Sequence, residues 1–431
     1  MLDQINVPNS NRVFVVTYRL LVLTVMLALF NNLHVTARQA RGSFIAPAGV
    51  RAVWVRPFIN ADEATRRSPE SGRAFIRAEL QRIKHAGFNT IYVESFFDGY
   101  TIYPSRVAVQ RPLELKYGNA VRDARGRLAG WDVLQTYMNE GRSLDLSIHA
   151  WFEVFFAWNT GLGDTSRSPI FGAHPEWLAL DAKGSPLVRA EAEGAHREVS
   201  KIFMSPSNKE VRAFLVKLVR EIAARYQLDG IQFDYIRYPT HTPDADFDYS
   251  ADALRQFRRD TGLNARKLSA LATPREWARW QAWKTGQVTE AVAELSAAIR
   301  STRPKVIISA AVFPDFATDL RVKMQDTREW SRRKLVDALL PMLYSTDYMR
   351  VDSWAREFRE GIGHETRVYP ALYIGHFYNA QTGAIDARYL ALRDKYNFDG
   401  VGLFAAQLLN DDLADKLVHG VFESGANKPL K

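Results

Sequence analysis

"NKEVRAFLVKLVREIAARYQLDGIQFDYIRYP" (residues 208–239) carries the alternation that decides the fold. From Asn208 to Tyr226 the apolar residues return every three or four positions, which predicts an amphipathic helix. The next segment, "DGIQFD" (229–234), is short and apolar at Ile231 and Phe233, which predicts a buried strand. It then finishes in Asp234, Tyr235, Arg237 and Tyr238, and Pro239 ends it. Burying a charge is unfavourable unless it is paired or hydrogen-bonded. Either these charges form a structural network, or the strand opens into a site.

The helix–strand alternation extends in both directions. Strands are expected at 51–56, 89–95, 145–155, 229–234, 305–313, 336–344, 367–374 and 399–406, with helical periodicity between them. Strands separated by helices imply a parallel sheet. Eight such units predict an α/β fold, a (β/α)8 TIM barrel over residues 48–424. An open doubly wound sheet would bring a Gly-rich phosphate loop after its first strand, and "RAVWVRPFINADE" has none. The connections after strands two and three (95–130 and 154–207) are long and lie at the C-terminal face, where barrel sites form. Their aromatic residues, among them Phe96, Tyr100, Phe156, Trp158 and Trp177, are expected to form a packed rim round a groove.

The 431 residues are 47% hydrophobic and 24% charged, an ordinary globular composition. The chain has no cysteine, which excludes disulfides and thiolate chemistry. Its net charge of +9 is scattered, without the dense basic run of a nucleic-acid footprint, so nucleic acid is not an expected partner. An anionic polymer or surface fits such a charge, and so does plain solubility. "YRLLVLTVMLALF" (18–30) follows Arg12 and Arg19, and Val35 and Ala37 stand before a cleavage point. That order marks residues 1–37 as a secretory signal, hence an exported, periplasmic or extracellular protein. The alternative is an uncleaved membrane tether through residues 13–30, short for a span because Thr17, Tyr18 and Arg19 interrupt it.

Side chains alternate inward and outward along a barrel strand. Applied to the strand ends, this sets Tyr92 and Glu94 on one side, then His149, Trp151 and Glu153, then Gln232 and Asp234, with Asp315 after strand five and Tyr344 after strand six. Carboxylates therefore recur at one mouth. Glycoside hydrolysis needs two carboxyl groups across the scissile bond. It also needs aromatic platforms for sugar rings. Asp234 and Glu153 form the simplest catalytic pair, with Asp315 and Glu94 in reserve. Glu94, His149, Trp151, Tyr235, Arg237, Tyr344 and Arg56 are the expected substrate contacts. Asp229 starts its strand and belongs to the opposite, stabilising face. Trp277, Trp280 and Trp283 recur at helical spacing, which favours core over sugar platform. "DADFD" (244–248) mimics a calcium loop, but Tyr249 and Arg255 stand where Gly and Glu are required. With no HExxH and no phosphate loop, no metal or cofactor is called for.

The ordered set "RAVWVRPF", "GFNTIYVES", "GWDVL", "IHAWFEVF", "HPEWL", "SPSNKEVRAFLVKLVREI", "DGIQFDYIRYP" and "DALLPMLY" resembles the glycosyl hydrolase-like 10 family from about Arg51 to Phe404. The resemblance implies a barrel acting on the glycosidic bonds of a polysaccharide or oligosaccharide, commonly exported and linked to the cell envelope, with peptidoglycan glycan strands among the substrates to consider. Related barrel glycosidases place a catalytic Asp at the end of strand four, which Asp234 matches. Many members have Asp-Asp there, where this chain has Asp234-Tyr235, and Asn-Pro in strand three, where it has Glu153-Val154. The second difference adds a carboxylate, so the acid/base role does not carry over directly. The runner-up is a carbohydrate-binding barrel without catalysis. Oligomeric state is not legible.

Overall fold

The structure is a computed structural model; it describes residues 49–422 apart from 58–67, 112–120, 123–127, 130, 161–164, 166–167, 188–200 and 241–245. The expected signal or tether in residues 1–37 lies outside the described residues. Among the described residues, no helix is long and apolar enough to cross a membrane.

The barrel strands are β1 (Val50–Val55), β2 (Thr90–Phe97), β3 (Ser147–Glu153), β4 (Gly230–Asp234), β5 (Ile307–Val312), β6 (Ala338–Pro341), β7 (in two pieces, Arg367–Val368 and Ala371–Tyr373) and β8 (Gly400–Phe404). Each pairs in parallel with the next, and β8 pairs with β1. The first piece of β7 pairs with β6 and the second with β8, so the sheet closes through one strand. Pro370 lies between the pieces. It has no N–H to give, but its carbonyl accepts from Gly402 at 2.9 Å. The expected eight-stranded architecture is therefore present.

Alternation decides what each strand buries. Val53, Val55, Ile91, Val93, Ile148, Ile231, Phe233, Ile308 and Leu403 face outward into the core shared with the helices. Ala52, Trp54, Tyr92, Trp151, Ala338, Leu340 and Ala371 form a separate cluster inside the barrel. Both faces are covered, which is why these strands read as continuous apolar runs.

The bottom of the barrel repeats one device. Asn89, Asp229, Asp337 and Asp399, each just before an even-numbered strand, accept the backbone N–H of Arg51, Ile148, Ile308 and Val368 on the preceding odd strand, at 2.8–3.0 Å. Asp229 is thus the stabilising residue its position implied.

The helices include α1 (Pro69–His85), α2 (Val133–Arg142), α3 (Lys209–Arg225), α4 (Ala251–Thr261), α5 (Pro274–Thr302) and α6 (Phe316–Val322). α4 and α6 go beyond the sequence reading. α4 is defined by its caps: the Ser250 hydroxyl accepts from Ala253 N, and Gly262 closes the helix at φ +75°. The described aspartates of "DADFD", Asp246 and Asp248, are internal supports. Asp246 accepts from Trp280 Nε1 at 2.8 Å and pairs with buried Lys284. Asp248 accepts from Ser205 and Tyr238, both at 2.6 Å. Trp280 is buried beside Tyr249 and Phe257, with Trp277 and Trp283 packed round them as core. One expectation needs correction: Phe96, Tyr100, Phe156, Trp158 and Trp177 are buried rather than lining a groove. The long loops carry enough apolar area to pack onto the barrel, and there their aromatic rings leave water.

Candidate active site

Three carboxyl groups meet at the C-terminal mouth, one from each of three neighbouring strands. Glu153 and Asp234 are register partners at the ends of β3 and β4. Paired Cα positions on adjacent strands lie about 5 Å apart. Glu94, from β2, stands opposite Trp151, just before a register shift between Glu94 and Phe96. Such bulges re-aim side chains at barrel rims. Just past β1, the Arg56 guanidinium completes the group: Nε lies 3.1 Å from Glu94 Oε1, and Nη2 lies 3.9 Å from Glu153 Oε1. Its Cζ lies 5.7 Å from the Trp151 ring centroid and 5.8 Å from that of Phe404. Glu94 and Glu153 are only 2% and 3% exposed, against 30% for Arg56.

The environments of the acids differ. Asp234 accepts Tyr235 N–H at 2.7 Å and Trp151 Nε1–H at 3.2 Å. Tyr235 is held at φ +47°, and its amide points back into the carboxylate it follows. Burial pushes the Asp234 pKa up, while these donors, Arg237 and Lys201 pull against it. Glu153 is pushed well above the usual carboxylate range by burial and by the Glu94 charge. Burial lifts Glu94 to about 7, with Arg56 opposing. Burial thus raises all three acids, and their unequal neighbours hold them to different degrees.

The other half of the mouth is aromatic. Tyr344, past β6, and Tyr373 and Phe404, the last residues of β7 and β8, have centroids 6.0–6.4 Å apart, and Phe404 reaches Trp151 at 6.1 Å. Tyr344 was expected; Tyr373 and Phe404 follow the same inward alternation and were legible by it. Lys201, Asp98 and Arg111 were missed. Lys201 donates to the Tyr235 hydroxyl and lies over its ring. Arg111 pairs with Asp98 at 3.1 Å, both buried, beside Glu94. Asp98 and Arg111 stand in the connection after β2, and Lys201 opens a short hairpin strand (Lys201–Phe203) after β3, outside the barrel strands whose alternation was read.

Three expected site residues fall elsewhere. His149 lies deeper in the barrel, against Tyr92 and over Gly230, where a Cβ would come within 2.0 Å of its Nδ1. Burial lowers its pKa to about 3, so it is a neutral core residue. Asp315 caps α6, accepting from Thr318 N and Oγ1 at 3.0 and 2.9 Å. Arg237 is 5% exposed, with its guanidinium against the rings of Phe203, Tyr235 and Phe313 behind the mouth. Inward alternation gives direction but not depth, and a carboxylate past a strand end is free to turn back onto a helix. Among the described residues, no group of His, Cys, Asp and Glu is arranged to hold a metal ion.

A closed parallel barrel with acids at the C-terminal ends of its strands and aromatic rings facing them has the form of a barrel glycosidase. The family model Glycosyl hydrolase-like 10 matches residues 49–374, and the chain belongs to that family. It is 22% identical over 310 residues to glycosyl hydrolase DigH of Escherichia coli K12, covering 66% of this chain and 61% of that protein. It is 22% identical over 315 residues to glycosyl hydrolase YngK of Bacillus subtilis 168, covering 68% and 54%. The chain thus spans somewhat over half the length of these relatives. In fold it is similar to the catalytic domain of a β-amylase from Paenibacillus polymyxa, with TM-score 0.57, 12% identity, and coverage of 89% of this chain and 100% of that one. It is also similar to α-L-fucosidase isoenzyme 2 from Paenibacillus thiaminolyticus, with TM-score 0.57, 13% identity, and coverage of 87% and 49%.

Proposed function

We propose that the protein is an exported glycoside hydrolase that cleaves O-glycosidic bonds of a polysaccharide, with Asp234 and Glu153 as its two carboxyl groups. The observation that carries this is the unequal surroundings of two register partners. Asp234 receives two N–H donors, which favour its anion. Glu153 is buried beside another acid, which favours its proton. An anion on one side of the scissile bond and a proton on the other is what glycoside hydrolysis requires. Tyr344, Tyr373 and Phe404 offer ring faces to the apolar C–H faces of sugars. The relatives' names support the reaction class, and the leader-like sequence in residues 1–37 supports export. Envelope glycans, peptidoglycan strands among them, are the first substrates to test.

The low exposure of Glu94 and Glu153 favours a second reading, a carbohydrate-binding barrel without turnover. One experiment separates the two. Wild type and Asp234→Asn are incubated with purified envelope and plant glycans, products are read by mass, and binding is read by co-sedimentation. Wild type is expected to cleave at least one glycan, and Asp234→Asn to bind it uncleaved. An Asp234→Asn variant as fast as wild type removes Asp234 from the mechanism. Binding without products in wild type supports the second reading.

A further inference from the structure

We propose that Arg56 is a positioning residue that pairs with Glu94 in preference to Glu153, so that Glu153 is the last acid of the mouth to give up its proton. The catalytic meaning of this rests on the glycosidase reading above; the charge arrangement itself does not.

Distances assign the charges. Four buried or half-buried carboxyl groups share the mouth: Asp98, Glu94, Glu153 and Asp234. Asp98 has Arg111 at 3.1 Å. Asp234 has the Tyr235 and Trp151 N–H groups, with Lys201 and Arg237 close by round Tyr235. Glu94 has Arg56 Nε at 3.1 Å. Glu153 has the same guanidinium at 3.9 Å, so of the two ion pairs the one to Glu94 is the closer. Of two buried carboxyl groups that share one cation, the one farther from it holds its proton to higher pH.

The groups facing Glu153 are Arg56 from just past β1, Glu94 from β2 and Asp98 from the connection after it, and Asp234 and Tyr235 from β4 and its loop. Arg56 alone in that set is a cation, and the closer glutamate engages it. Its guanidinium also lies beside the edge-packed Trp151 and Phe404 rings, with Cζ 5.7 and 5.8 Å from their centroids. The arrangement thus makes Glu94 a partner of Arg56 and leaves Glu153 as the proton donor.

Two substitutions should move the Glu153 proton in opposite directions. Glu94→Gln removes a neighbouring negative charge and releases Arg56, so Glu153 should ionise at lower pH. Arg56→Gln removes the cation, so Glu153 should ionise at higher pH. Arg56→Lys keeps the charge and should return the midpoint toward wild type. The readout is the carboxyl 13C chemical shift of full-length protein labelled at glutamate, with Glu153 assigned by Glu153→Gln and folding checked by circular dichroism. Shifts of about one pH unit or more are expected for a charge at this range. The proposal is overturned if Glu153 is already ionised at pH 5 in wild type, or if the two variants leave its midpoint unchanged or move it the same way. The titration needs no substrate, so it stands even if no glycan is cleaved. Where a glycan is cleaved, the alkaline limb of its pH–rate profile should shift in the same order across the variants. A limb that stays fixed while the midpoint moves removes Glu153 as the acid and leaves the charge assignment intact.

Discussion

At the scale of single residues, the mouth works by unequal solvation of like groups. The indole of Trp151 stands between the two halves of the site. Its ring belongs to the barrel's inner cluster and faces Phe404, while its N–H meets Asp234. Trp151→Phe keeps most of the packing and removes the donor. A hydrogen bond to a charged group is worth about 1.5–3 kcal/mol, so kcat/KM should fall by about 10- to 100-fold on any glycan the wild type cleaves. Because the donor lowers the Asp234 pKa, its loss should also move the acid limb of the pH–rate profile upward. An unmoved acid limb would show that Asp234 is not the group ionising there. Glu94, Glu153, Asp234 and Tyr344 were legible because strand alternation gives direction. Asp98, Arg111 and Lys201 were not, because they stand outside the barrel strands and reach the mouth only through contacts distant in sequence.

At the scale of elements, close strand approach explains one glycine. Gly230 opens β4 opposite His149, and an added methyl would meet the imidazole at 2.0 Å. Gly230→Ala should destabilise the barrel by about 1–3 kcal/mol, the usual range for overpacking. The double variant with His149→Ala should recover part of that loss, since the clash partner is gone. Urea unfolding of the four proteins in the cycle measures the coupling. Additive losses would mean that His149 does not pack on Gly230. The strands were readable as elements because both their faces are buried. The helix α4 was not, since its evidence is caps rather than a long apolar stripe, and the split in β7 is fixed by partners on two sides.

At the scale of the whole molecule, the barrel divides its labour between its ends. The bottom carries the repeated Asn/Asp bonds between strands, and the top carries the acids. Some buried acid lies outside both. Glu79, on α1, accepts from the Tyr137 hydroxyl of α2 at 2.8 Å, and burial raises its pKa to about 7. A carboxyl with a raised pKa in the folded state stabilises while protonated. That contribution is complete below the unfolded value and is lost as pH rises through the folded one. Stability should therefore decline between about pH 4.5 and about pH 7, by up to about 3 kcal/mol from this group. Glu79→Gln should flatten that decline in urea unfolding at a series of pH values. An equally steep decline in the variant would place its source elsewhere.

The sequence by itself determined the strand–helix alternation, the closure into eight units, the direction of each inward side chain and hence the carboxylates at one mouth. These are local properties: periodicity and apolar runs are written residue by residue, and burial on both faces enforces them. Only the tertiary structure decided depth and partnership. It set His149 below the site, turned Asp315 onto a helix, drew Arg237 behind Tyr235 and joined Arg56 to Glu94. Those outcomes depend on which distant groups compete for the same carboxylate or cation. That competition is settled by distances across the barrel, which no stretch of sequence contains.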